Sequence, residues 1–253
     1  MPLPALDFSF FAVAIPAVMF AGISKGGFGS GAAFASAAIL ALVLAPGAAI
    51  GIMLPLLMLI DVTTLRPYWG KWNMAAARRL ILGAVPGTAL GAALYTIADD
   101  DLFRVLIGAI SVLFVIWQML GRAGRIPVAQ RPIPPLGGLI AGAVAGLTSF
   151  ISHAGGPPAA VYLLSLKPAK TEYQATTVLT FWAINIMKFV PYAWLGIFSA
   201  ESFLADLFLA PFAILGALLG VRLHEVVPER AFFALTYVLL AVTGARLIWV
   251  GIR

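Results

Sequence analysis

The chain has 253 residues, 62% of them hydrophobic and 10% charged, with a mean hydropathy of +1.03. So few polar side chains cannot clothe a soluble globule of this size, so the sequence reads as a polytopic, all-α membrane protein with the bilayer as its solvent. The absence of cysteine excludes disulfides, thiolate metal sites and cysteine nucleophiles, and the formal charge of +6 sits mostly in loops, where it signals topology and attraction to anionic lipid rather than nucleic-acid binding.

The N-terminal MPLPALDFSF has no basic n-region and no clear cleavage site, so the first apolar stretch is expected to stay in place. Apolar segments then run over 8–23, 32–45, 48–65, 80–98 and 102–120; after a polar linker at 121–132 come 133–151, 157–166, 175–198, 203–223 and 231–252. A spanning helix needs about 20 residues. The second segment of each group is short, which leaves two readings: half-helices of re-entrant hairpins, or tilted spans whose ends lie further out.

Two Gly-rich breaks punctuate these segments, AGISKGGFGSG at 21–31 and AGLTSFISHAGGPP at 145–158. Proline can open a helix but not continue one, so Gly155-Gly156-Pro157-Pro158 reads as a loop entering a new helix. Irregular backbone at membrane depth is tolerated only where protein or water satisfies its polar groups, so the breaks point to a lined cavity.

Five segments, a linker and five segments suggest a duplicated unit. Sliding the chain by about 124 positions pairs Gly31 with Gly155, Asp61 with Asn185, Thr64 with Lys188 and Pro67-Tyr68 with Pro191-Tyr192, and one further gap brings Pro86 onto Pro211. The organisation expected is an N-terminal transmembrane repeat over 1–120, a cytoplasmic linker over 121–132 and a C-terminal repeat over 133–253. Basic residues cluster at Arg66, Lys71, Arg78 and Arg79, at Arg122, Arg125 and Arg131, and at Lys167 and Lys170, whereas Asp99 to Asp101 and Glu201 to Asp206 occupy the alternating loops. With the N-terminus outside, all three basic clusters fall in the cytoplasm and the halves have opposite orientation. Inverted repeats with interrupted helices are a common architecture of secondary transporters, in which half-helix N-termini face an anion at the midplane.

Intramembrane ionisable groups are costly and are functional candidates by default. Here they are Lys25, Asp61, His153 and Lys188. For an anion, Lys25 and Lys188 would supply charge, Ser24, Thr148, Ser149 and Ser152 hydroxyl donors, and the Gly-rich backbone a nest of N–H groups. Asp61 and Asn185 would be a coupling or structural polar pair, with Asp61 either paired to a lysine or carrying a proton. Each has a plainer reading. Lys25 could snorkel to the headgroups, His153 could cap the helix that begins at Pro157, Lys188 could be an interfacial anchor, and Asp61 with Asn185 could simply join the halves. The Gly and Ala of VPGTALGAAL and ILGALLG read as close-packing surfaces between helices, and Tyr68, Trp69, Tyr192 and Trp194 as interfacial aromatics.

The two breaks, each followed by an apolar helix and then by VPGTALGAAL or APFAILGALLG, resemble the TauE/SafE family of sulfite exporters and toluene-sulfonate permeases over nearly the whole chain. The resemblance implies a multispanning permease for small, often sulfur-containing anions such as sulfite, sulfonates or sulfoacetate, in a bacterial cytoplasmic membrane. Substrate would be held where the Gly-rich segments meet, with Gly26, Gly27, Gly155, Gly156 and Pro157 as the matching positions. In the first half Lys25 precedes only a double glycine, and no proline follows.

Enzyme chemistry finds little support: His153 and His224 have no metal-ligand spacing, nothing resembles a phosphate loop, and Ser149 near His153 lacks an orienting third group. No cofactor or metal is expected. The function expected is secondary transport of small anions by alternating access, with a proton or cation as coupling ion and homo-oligomerisation left open. The alternative is an anion channel using the same cationic cavity.

Overall fold

The computed structural model describes residues 7–28, 33–125, 132–223 and 229–253, the last without the side chains of 229–233. The middle of the linker with Arg131, the end of the first break with Gly31, and His224 therefore lie outside the described residues. Every regular element described is helical. The first half comprises α1 (Phe8–Ile23) continuing into a π-helical turn (Ser24–Phe28), α2 (Ala35–Leu40), α3 (Pro46–Leu65), α4 (Met74–Ile97) and α5 (Asp100–Arg122). The second comprises α6 (Pro135–Ser152), α7 (Gly156–Ser165), α8 (Lys170–Trp194), α9 (Ala200–Leu223) and α10 (Glu229–Ile252).

Several starts follow from capping. Asp7, Asn73 and Asp99 accept the N–H groups of Phe10, Ala76 and Leu102 at 3.0, 3.0 and 2.8 Å, which satisfies donors that a helix start leaves free. Asn73 explains why α4 opens six residues before the apolar run at 80: Met-Ala-Ala-Ala-Arg-Arg is strongly helix-forming and carries the helix past the hydrocarbon. Helix α8 likewise starts at Lys170 rather than 175.

Among the described residues, seven helical segments are long and apolar enough to cross a membrane: those of α1, α3, α4, α5, α6, α9 and α10. At 25 residues α8 is also long enough, but it carries Lys170, Glu172, Asn185 and Lys188. Neither α2, with 6 residues, nor α7, with 10, approaches the span length of about 20. Large apolar side chains such as Leu82, Leu113, Leu207 and Val242 face outward, while Ser, Thr, Lys and Asp lie inside. That distribution makes the chain a multi-pass integral membrane protein.

Glycine lets the helices close. Helices α4 and α6 run side by side in the same direction, with Gly83 against Leu139 and Gly87 against Ala143; α1 and α9 do the same, with Met19 against Gly216 and Ile23 against Gly220. By contrast, α5 and α10 are antiparallel, Gly108 meeting Gly244 and Gly251 meeting Asp101. So are α3 and α8, where Gly51 lies against Ile197 and Asp61 against Asn185. Small residues at these seams let backbones approach, as helix association in lipid requires. This bears out the close-packing reading of VPGTALGAAL and ILGALLG.

The tyrosines depart from expectation. Trp69 and Trp194 are exposed, as interfacial aromatics would be, but Tyr68 and Tyr192 are buried. Tyr68 Oη donates to the Gly26 carbonyl at 3.1 Å and Tyr192 Oη to the Phe150 carbonyl at 2.6 Å, each across 42 residues. The second bond is the first moved along the chain by the separation of Asp61 and Asn185, 124 positions. Each phenol ties the loop or helix after a long span to the backbone of a Gly-rich break. Burial pushes the Tyr68 phenol above its ordinary pKa, which keeps it a donor.

Adding a side chain at the tightest seam should split the bundle, since a Cβ on Gly87 would lie 1.9 Å from the Ala143 carbonyl oxygen. Gly87→Leu should lower stability by about 1–3 kcal/mol through overpacking, read as a depressed melting temperature in detergent. Gly121→Leu, at a position with nothing within 4 Å, should not.

Candidate functional site

Helices α3 and α8 carry the polar groups that face each other at the centre. Ile60, Asp61 and Thr64 on one, and Ile184, Asn185 and Lys188 on the other, are all buried, and residues three apart on a helix share a face. The two breaks deliver their side chains to this seam from either flank.

From the first break, Lys25 reaches the Asp61 carboxylate in a buried ion pair. Asn185 Nδ2 donates to the other oxygen, Oδ2, at 2.7 Å. The π-helical turn widens the end of α1, and its carbonyls find partners outside the helix: Gln174 Nε2 donates to Lys25 O at 2.6 Å and Tyr68 to Gly26 O. Single π-helical turns recur at functional sites because they redirect side chains without ending the helix. Lys25 is 3% exposed and does not snorkel.

From the second break, Ser149 and His153 meet Lys188. The Lys188 ammonium donates to Ser149 O at 3.1 Å, to Ser149 Oγ at 2.9 Å and to His153 Nδ1 at 2.8 Å. On its other side, His153 Nε2 lies 3.1 Å from the Ile50 carbonyl of α3. A carbonyl only accepts, so Nε2 carries the proton and Nδ1 offers a lone pair to Lys188. This geometry assigns a neutral imidazole. With 0% exposure and no carboxylate in its ion-pairing range among the described residues, Lys188 is neither an interfacial anchor nor half of a salt bridge.

His153 ends α6 with φ +56° and ψ +17°, in the left-handed region that favours glycine. A histidine there costs on the order of 1–3 kcal/mol. The capping of α7 does not repay it, because α7 has no side-chain N-cap bond. The bonds to Lys188 and Ile50 do place the ring, which gives the strained position a chemical reason.

The remaining predicted residues divide. Ser24 and Ser152 are buried beside the cluster, and Ser152 Oγ donates to Thr148 O at 3.3 Å. Thr148 turns away: its hydroxyl bonds the Val144 and Ala154 carbonyls at 2.8 and 3.0 Å and borders an apolar groove with Phe114, Trp117 and Pro157. Gly26 and Gly27 lie against α9, where a Cβ would fall 2.4 Å from Ala217 O and 2.3 Å from Gly220 O. Gly155 lies against Phe181 and Ser149, and Gly156 opens α7. Close packing thus accounts for Gly26, Gly27 and Gly155. Sequence reasoning missed Gln174, the Ile50 carbonyl and the structural role of Tyr68 and Tyr192; only the duplicated Pro-Tyr pair carried a signal for any of them.

The cluster thus sets two lysines against one carboxylate and a histidine, all enclosed by protein. Ionisable groups sheltered between polar helix faces of a multi-pass protein are a mark of membrane transport proteins. Residues 14–247 match the family described as Sulfite exporter TauE/SafE, and the chain belongs to that family of sulfur-anion transporters. No individually curated protein and no solved structure shows a significant match to the chain.

Removing one member of the Lys25–Asp61 pair leaves a buried charge alone, which costs about 3–5 kcal/mol, whereas replacing both by apolar residues is often near neutral. Lys25→Met and Asp61→Leu should therefore each lower thermal stability in detergent more than the double variant does. Additive losses in the double variant would contradict the pairing.

Proposed function

We propose that the chain is a secondary transporter of small anions, sulfur-containing ones such as sulfite or an organosulfonate, moved by alternating access at a site between two halves. The carrying observation is Lys188, a buried ammonium whose three partners, Ser149 O, Ser149 Oγ and His153 Nδ1, are all neutral acceptors. A cation so placed is stabilised by a monoanion brought from outside. Lys188, Lys25, Ser149, Ser152, His153 and Ser24 would line the anion site, with Gly156 near its edge; Asp61 and Asn185 hold Lys25 in place.

The halves are read as inverted repeats, residues 1–120 and 133–253, joined by a cytoplasmic linker. Supporting this are the duplicated tyrosine bonds, the antiparallel crossing of α3 with α8 and of α5 with α10, and the parallel pairs α1–α9 and α6–α4, which exchange under the same relation. The short helices α2 and α7 are read as the returning arms of re-entrant hairpins, and a bacterial cytoplasmic membrane with the N-terminus outside places the basic clusters inside. Full burial of both lysines favours a carrier in an occluded state over the channel alternative, because a pore needs a continuous wetted path.

Sulfite counterflow in proteoliposomes tests this directly. Purified wild-type protein should exchange internal for external sulfite or sulfoacetate, and Lys188→Met should reduce that exchange by about 10–100-fold, the value of a charge-assisted hydrogen bond or two. Flux without counterflow would favour the channel, and wild-type exchange by Lys188→Met would remove Lys188 from the site.

A further inference from the structure

Helix α9 contains a second buried carboxyl group, besides that of Asp61, that the anion site does not use. Asp206 is 7% exposed, and among the described residues neither of its carboxylate oxygens meets a hydrogen-bond donor. It occupies the inward face of α9 with Ala205, Leu209 and Ala213, all fully buried in the main apolar core. An ionised carboxylate in such surroundings is costly unless it is paired or takes up a proton.

The charged groups around it can be named among the described residues. The elements packed against α9 are α1, α3 and the π-helical turn, and their charged members are Asp7 at the start of α1, Asp61 on α3 and Lys25 in the turn. Lys25 and Asp61 bind each other, and the turn meets α9 at Ala217 to Gly220, more than ten residues or about 16 Å along the helix from Asp206. On α9 itself Glu201 and Arg222 lie near the two ends. None pairs with Asp206 among the described residues.

A route to the surface lies one turn away. Ser202 stands four residues before Asp206, one turn nearer the start of α9 and on the same face. Ser202 borders a cleft of about 320 Å³ with Tyr95, Asp100, Gly196, Ser199 and Ala45, so hydroxyl, phenol and carboxylate groups stand at its walls. The duplicated unit has no equivalent acid: with Pro211 matched to Pro86, Asp206 falls on Ile81 of α4.

We propose that Asp206 is a proton-binding residue of the transport cycle, which exchanges its proton with one side of the membrane through the Ser202–Tyr95 cleft and with the other side once the halves have rearranged, and that it couples anion movement to a proton gradient. A metal cation fits less well, because hard cations take several oxygen ligands and no group of three or more metal-ligating side chains occurs among the described residues. The step is a protonation and its reversal: the carboxylate gains H+ from water on one side of the membrane and returns it on the other, with no bond broken in the anion.

The coupling half of this inference rests on the anion-transporter reading, so two readouts separate them. Infrared difference spectra of reconstituted protein, wild type minus Asp206→Asn, should show the C=O stretch of a protonated carboxylic acid at neutral pH, whatever the substrate. In proteoliposomes, wild type should accumulate sulfite about tenfold per pH unit imposed for one proton per anion. Asp206→Asn, which mimics the protonated acid and so keeps the fold, should lose that accumulation yet continue sulfite exchange. Absence of the acid band, or gradient-driven accumulation by Asp206→Asn at the wild-type level, would overturn the proposal. No exchange by wild type would instead count against the sulfite reading, and the infrared result would still decide whether Asp206 holds a proton.

Discussion

The structure depends on a mismatch of ionisable groups at the seam of α3 and α8, where two buried lysines meet one buried carboxylate, that of Asp61. Lys25 is neutralised by Asp61, and Asp61 is fixed by Asn185. Lys188 has only dipoles, those of the Ser149 carbonyl and hydroxyl and of a neutral imidazole. Most of the unusual local features serve these contacts. The π-helical turn brings Lys25 inward, the left-handed His153 aims its ring at Lys188, and the glycine seams bring the helices close enough for such short side chains to meet.

The lipid as solvent explains why this arrangement holds. In water a lysine is stabilised wherever it points, so an internal position gains little. In hydrocarbon an unsatisfied N–H or ammonium has no such outlet, and the polar groups are driven together into the bundle. Hence the inner faces of α3 and α8 carry Asp61, Thr64, Gln174, Thr180, Asn185 and Lys188, while the lipid-facing residues Leu82, Leu113 and Val242 could be exchanged among aliphatics at small cost.

Much of this was legible in the sequence. A mean hydropathy of +1.03 and runs of about 20 apolar residues determine a helical membrane protein, and the bounds of α1 follow from the apolar run at 8–23 alone. Asp61 and Asn185 were identifiable because a shift of 124 superposes them, and the two side chains meet where α3 and α8 cross. The starts of α4 and α8 were less legible, since hydropathy reports where lipid ends and not where helical hydrogen bonding does. Thr148 shows the limit for site residues: composition makes any hydroxyl in a break a donor candidate, but its direction depends on the turn made at His153, and here it bonds Val144 and Ala154 instead. Tyr68 and Tyr192 misled for the opposite reason, because an aromatic next to proline and tryptophan matches the interfacial pattern even when its hydroxyl is needed inside.

The pairing of Lys188 also constrains how binding can move the protein. All three of its N–H groups are engaged with Ser149 and His153, both on the second break, so an incoming anion takes up the ammonium only by displacing one or more of these bonds. Displacing the His153 bond leaves the ring held by Ile50 of α3 alone, in a backbone conformation that costs on the order of 1–3 kcal/mol to maintain. The energy that held the break in place then becomes available to release it. A ligand shifts an equilibrium only by its differential affinity for the two states, and in the proposed carrier that difference would have a physical source: an anion would replace the contacts that lock the break against α3 and α8. In the proposed carrier, the same charge that attracts the anion therefore also makes the closed arrangement conditional on what Lys188 is bound to.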